Sequence, residues 1–101
     1  MGLVRVAACS ELLPGQGRVV RAAGLEIALF NVGGSFYGIG NTCRHRGGPL
    51  GEGSLEGSVV TCPWHGWEYD VTTGVSRVNP AMRVPVYQTE VKGDDVFIEL
   101  P

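Results

Sequence analysis

No stretch approaching about 18 apolar residues occurs in this sequence, so no segment reads as a membrane-spanning helix. Basic residues number eight against ten acidic ones, form no long run and leave a net charge of -2, which argues against a nucleic-acid binder. Met1 to Arg5 lacks the apolar region of a secretory signal, and Val6 stands where a myristoylation signal wants Ser or Thr. A cytoplasmic chain is expected. Three cysteines are an odd count, which makes a poor disulfide framework and fits a reducing compartment. No amphipathic helical pattern, internal repeat or low-complexity segment is found.

What is present is glycine, proline and short alternating runs. The 44% apolar share is ordinary for a folded protein, and the length, 101 residues, predicts one domain over 1–101. Sixteen glycines and six prolines mark many turns. Gly2 to Ala8 reads as a first strand, with Val4 and Val6 on one face and Arg5 on the other. Arg18 to Ala22 reads as a second. Leu25 to Val32 is a third, with Leu25, Ile27 and Leu29 on one face, and Gly33-Gly34 turns it back through Ser35 to Ile39. Strands are also expected at Ser58 to Cys62, Trp67 to Val71, Arg83 to Val91 and Val96 to Leu100. Pro85 puts the start of the 83–91 strand at a sheet edge. Short strands at close spacing predict an all-β fold, an antiparallel sandwich or barrel.

Only two histidines occur in the chain, and each sits beside a cysteine. Cys43-Arg44-His45 forms one bracket and Cys62-Pro63-Trp64-His65 the other, with a glycine-rich stretch between. A histidine with a cysteine at ligand spacing is a candidate metal ligand rather than a core residue. The expected site is therefore Cys43, His45, Cys62 and His65, on loops near 41–53 and 62–69. Gly47, Gly48, Gly51 and Gly53 permit close backbone approach to a bulky group. Two readings compete. A structural zinc accepts two thiolates and two imidazoles, and would make the chain a binding module. A [2Fe–2S] cluster takes two cysteines on one iron and two histidines on the other. Zinc sites usually pair cysteine with cysteine and histidine with histidine, whereas each bracket here mixes the two. The mixed order suits two adjacent metals better, but spacing alone leaves zinc open.

Cys43-Arg44-His45 followed by Cys62-Pro63-Trp64-His65-Gly66-Trp67 closely resembles the Rieske iron–sulfur domain, and the resemblance extends over nearly the whole chain. It implies a cluster-binding subdomain, one [2Fe–2S] cluster, Cys43 and Cys62 on the buried iron, and His45 and His65 on the outer one. An imidazole on the outer iron loses its proton more readily when the cluster is oxidised, so the midpoint should fall as pH rises. Respiratory Rieske proteins carry two further loop cysteines and a serine after the second histidine. Here those positions are Gly48, Trp64 and Trp67. Hydrogen bonds to sulfur stabilise the reduced cluster, so their loss predicts a potential in the lower part of a span of roughly -150 to +300 mV. Tyr69 matches a tyrosine that bonds a ligand sulfur, and Pro80 matches a proline that caps the cluster.

With no membrane anchor and no long catalytic portion, the chain is similar to the soluble ferredoxins of bacterial aromatic-ring oxygenase systems. That implies a one-electron carrier, itself no enzyme, between a flavin reductase and a terminal oxygenase. The alternative is the small Rieske subunit of an assimilatory nitrite reductase, partnered by its large subunit. Arg44 and Arg46 flank His45 and either steer an acidic partner or are plain solvated loop charges. Trp64 and Trp67 are candidate water-excluding residues beside the site. Cys9 reads as a small packing residue.

Overall fold

The computed structural model describes residues 2–44, 47–64 and 66–100. The described residues form ten strands, with two short 3-10 turns at Cys9–Glu11 and Leu50–Glu52. The first four strands are β1 (Gly2–Ala8), β2 (Gly17–Ala22), β3 (Leu25–Val32) and β4 (Ser35–Gly40). Three short ones follow: β5 (Ser54–Glu56), β6 (Val59–Thr61) and β7 (Glu68–Asp70). The chain closes with β8 (Val86–Tyr87), β9 (Thr89–Lys92) and β10 (Asp95–Leu100). They form three antiparallel sheets, ordered β1-β10-β9, β2-β3-β4-β8 and β5-β6-β7. The all-β expectation holds, and the third sheet lies beside Cys62, which directly follows β6.

Turn chemistry sets the register of the second sheet. Gly33 and Gly34 have φ of 60° and 100°, and Val32 pairs with Ser35 across them. Positive φ at both central residues is the tight hairpin turn whose twist matches the flanking strands. Ala23 and Gly24 make the same kind of turn between β2 and β3, with Ala23 at φ 51°. The alternation in β1 is interrupted: Arg5 pairs with Phe97 and Ala7 with Val96, leaving Val6 as an extra residue. That bulge turns Ala7 inward and leaves Val4 and Val6 only half-buried.

Strand β3 departs from a one-faced pattern. Residues Ile27 to Asn31 are all buried. Ile27 and Leu29 join Val20, Val96 and Ile98 in one apolar cluster. Ala28 and Phe30 join Ile39, Leu50, Val60, Tyr69 and both bracket cysteines in another. β3 therefore lies between two cores, one under the long strands and one that includes Cys43 and Cys62. The stretch 83–91 is not one strand. β8 pairs with β4 at the edge of the second sheet, whereas β9 pairs with β10 in the first. The chain changes sheets at Gln88. Pro85 lies just before the edge strand β8, where its missing N–H costs no ladder bond. Among the described residues no helix is long and apolar enough to cross a membrane.

Candidate metal centre

Asn41 starts the first loop and fixes both its ends. Its N–H donates to the Glu26 carbonyl at 3.2 Å, and its own carbonyl accepts from Leu50 N–H at 2.7 Å. Its side-chain oxygen accepts from Gly51 N–H at 2.8 Å, where both residues are buried. A buried amide that closes a loop of this length removes polar backbone groups that water cannot reach. Glu26 lies beside it at the outer edge, its carboxyl held below the usual range by Arg21 and, to a lesser degree, by the Asn41 amide. Inside the loop Thr42 bridges Pro49, Cys43 N–H donates to the Gly48 carbonyl at 2.9 Å, and Gly47 N–H donates back to Cys43. Gly47 makes that return at φ 77°.

The second loop joins β6 to β7. Cys62 N–H donates to the Trp67 carbonyl at 2.7 Å, which closes the loop at its base. Cys43 and Cys62 thus arrive from different sheets into one apolar cluster, each only 2% exposed. Burial pushes the Cys62 thiol up, the Trp64 N–H opposes that, and the neighbouring Cys43 thiol pushes it up further. The two cysteines share that cluster, and none of the three cysteines, all described, is in a disulfide.

Each sulfur has a hydrogen-bond partner. Trp64 N–H points at Cys62 Sγ at 3.4 Å. Tyr69 Oη stands 3.5 Å from Cys43 Sγ and accepts from Arg44 N–H at 2.9 Å. Against a thiolate, which carries no proton, the phenol is the donor of that pair. Tyr69 has no solvent exposure, and burial first and Cys43 second push it up to about 12. A proton held that tightly stays on the phenol through the working pH range.

Gly48 is where the loops meet. A Cβ there would lie 2.6 Å from Cys62 Sγ and 3.1 Å from Trp64 Cβ. No side chain fits without displacing the sulfur. The two positions that face each other across the loops are thus braced by a glycine against a tryptophan, with no disulfide.

Cys43, Cys62 and Tyr69 come together. Trp67 is half-buried and packs on the same core, whereas Trp64 is half exposed. Pro80 is exposed in a loop organised by Ser76 and Asn79, whose side-chain oxygens accept from Val78, Asn79 and Ala81 N–H groups. His45, Arg46 and His65 lie outside the described residues. Among the described residues no group of three or more His, Cys, Asp and Glu side chains converges, so the donor set on view is the thiol pair. Two buried thiols on separate loops, each with a hydrogen-bond partner at its sulfur, fit metal-bound thiolates. Sequence reasoning missed Asn41 and Ser76. Asn41 had one local signal, a buried-type amide directly after the strand-ending Gly40.

The Rieske [2Fe–2S] domain family matches residues 2–88. The chain is 36% identical over 97 residues to Ferredoxin CarAc of Metapseudomonas resinovorans, covering 94% of this chain and 91% of that protein. It is 38% identical over 100 residues to the 3-phenylpropionate/cinnamic acid dioxygenase ferredoxin subunit of Escherichia coli K12, covering 96% and 94%. Among solved structures it is similar to a chain in a complex of reduced oxygenase and oxidized ferredoxin in carbazole 1,9a-dioxygenase. There the TM-score is 0.87 at 36% identity, over 95% of this chain and 91% of that one. A putative NADH-dependent nitrite reductase small subunit from Mycobacterium tuberculosis gives 0.88 at 25% identity, over 96% and 93%.

Proposed function

This chain belongs to the Rieske [2Fe–2S] domain family, and on that premise we propose that it is a one-electron carrier between a flavin reductase and a terminal oxygenase. One observation carries the reading: the buried Cys43 and Cys62 thiols share one apolar cluster, with Trp64 N–H donating to Cys62 Sγ and Tyr69 Oη within hydrogen-bond distance of Cys43 Sγ. Its relatives at 36–38% identity are ferredoxin components of dioxygenase systems, not the oxygenases themselves. The nitrite reductase small subunit is the second reading, favoured only by the likeness at 25% identity. Cytoplasmic residence and a single working unit over 1–101 belong to the proposal.

In this reading Cys43, Cys62, His45 and His65 hold the cluster. The bound cluster supplies reversible one-electron chemistry, and the protein sets its potential and its access. Cys43 and Cys62 place their sulfurs out of water, which keeps the potential sensitive to the few bonds they receive. Tyr69 holds its proton at Oη and shares it with Cys43 Sγ, which favours the more negative reduced state. Trp64 N–H does the same at Cys62. Gly48 leaves room for the Cys62 sulfur. Trp64, Trp67 and Pro80 would shield the outer side from solvent, and Arg46, next to His45 in sequence, would be a steering charge for the partner.

One reconstitution, one copurification and one metal analysis test this. The protein, an NADH-dependent flavin reductase and a terminal oxygenase from one gene neighbourhood should consume NADH only when all three and an aromatic substrate are present. Copurification with a large sirohaem subunit, and no stimulation of the oxygenase, would transfer the chain to the nitrite reductase reading. Zinc without inorganic sulfide would end both.

A further inference from the structure

Arg44 is 39 positions from Arg83 in sequence, yet its guanidinium Nη1 donates to the Arg83 carbonyl at 3.4 Å. Their side chains line one open cleft with Thr73, Val84, Pro85 and Val86. All ten Asp and Glu side chains lie on described residues, and none lines this cleft. The three ion pairs found there, Arg5–Asp95, Arg21–Glu26 and Lys92–Glu90, are made by other cations. The backbone under both arginines is fixed. Arg44 N–H is held by Tyr69 Oη, Arg83 bridges Val75, and Val84 N–H donates to the Gly74 carbonyl at 2.9 Å. Val86 is 45% exposed beside the charges, and Pro85 is exposed too.

We infer that this cleft receives a carboxylate side chain of the protein partner, so that the partner docks an acidic face against the first ligand loop. The inference rests on the electron-carrier reading and adds the partner's chemistry to it. Two arginines lining one cleft with no carboxylate in its wall make a locally cationic surface that an anion would complement. Planar guanidinium donors match a carboxylate in paired geometry. The exposed Val86 and Pro85 give the contact an apolar margin. Arg44 directly follows Cys43, so a carboxylate seated here brings the partner up to the sulfur-bearing loop. The chain's net charge of -2 opposes an anionic partner at long range, so any attraction must come from this local patch.

That opposition makes the test sharp. Reduced, cluster-loaded protein is mixed with ferricyanide, a trianion, or with tris(phenanthroline)cobalt(III), a trication. In each case the cluster loses one electron and the oxidant gains it. Ferricyanide should react more slowly as salt rises, and the cobalt complex faster. Arg44→Gln with Arg83→Gln should lower the ferricyanide rate about tenfold at low salt, whereas Arg18→Gln, which changes the net charge elsewhere, should change it by less than about twofold. A glutamate-rich peptide should bind the wild type by calorimetry and not the double variant, a readout that does not depend on electron transfer. A ferricyanide rate that rises with salt, equal loss in Arg18→Gln, or peptide binding unchanged in the double variant would overturn the docking cleft. Protein purified without the visible spectrum of the cluster would instead overturn the electron-carrier reading, while the peptide arm still decides the cleft.

Discussion

The two ends of this molecule are held together by different means. The body rests on strands of six to eight residues whose aliphatic side chains meet in a dry core: Ile27, Leu29, Val96 and Ile98 have no exposure. The sulfur-bearing end rests on three strands of three residues each, on glycines, and on side chains that bond to loop backbone. Hydrophobic burial scales with apolar area, and the body is held by little else. The sulfur end has an apolar cluster too, with Phe30, Ile39, Leu50, Val60 and Val71, but it also buries two thiols and a phenol, whose bonds are worth less singly and depend on one another. That end should need its metal, and the body should not.

Removing a sulfur is the strongest way to break this contrast. Cys62→Ser should abolish iron and sulfide binding and the visible spectrum, while far-UV circular dichroism keeps the signal of the long strands. Loss of all strand signal would show that the body also depends on the metal. Next comes Leu29→Ala, which should cost about 2–5 kcal/mol in denaturant unfolding and leave the cluster spectrum unchanged. Asn41→Ala leaves Gly51 N–H buried without its acceptor and should cost about 1–3 kcal/mol. It lies where the two ends join, so both the unfolding midpoint and the rate of iron loss to a chelator should move.

Tyr69→Phe has the smallest effect on stability and the clearest on potential. Without the hydroxyl, Cys43 Sγ loses its donor and Arg44 N–H its acceptor, and the midpoint should fall in a redox titration. The pH dependence follows from the raised phenol. The folded group ionises at about 12 against an unfolded value near 10, so its stabilisation is complete below about pH 10 and is lost as pH rises through about 12. Cluster-loaded wild type should lose stability over that interval relative to Tyr69→Phe, read as urea midpoints against pH. Parallel curves would show that the phenol is not held as described.

The body was the easier part to read from sequence, because its physics is local. Leu25 to Val32 alternates, Gly33-Gly34 can only turn, and Val96 and Ile98 mark an inward face. The burial of both faces of β3 was not legible, since Ala28 and Phe30 look outward until a second core is placed over them. Nor was the break at Gln88, because the apolar pattern of 83–91 runs on while the pairing partner changes. At the sulfur end the two Cys-His brackets announced the chemistry, and Tyr69 was placed through the family resemblance. What escaped was the bonding between distant positions: Asn41 to Gly51 across the loop, and Arg44 to Arg83. Such pairs leave no periodicity in a sequence.

Elemental analysis of anaerobically purified protein tests the central claim most directly. Two irons and two acid-labile sulfides per chain, with a visible spectrum that bleaches on uptake of one electron, are what the account predicts. A single zinc ion with no sulfide, in protein that takes up no electron, would contradict it.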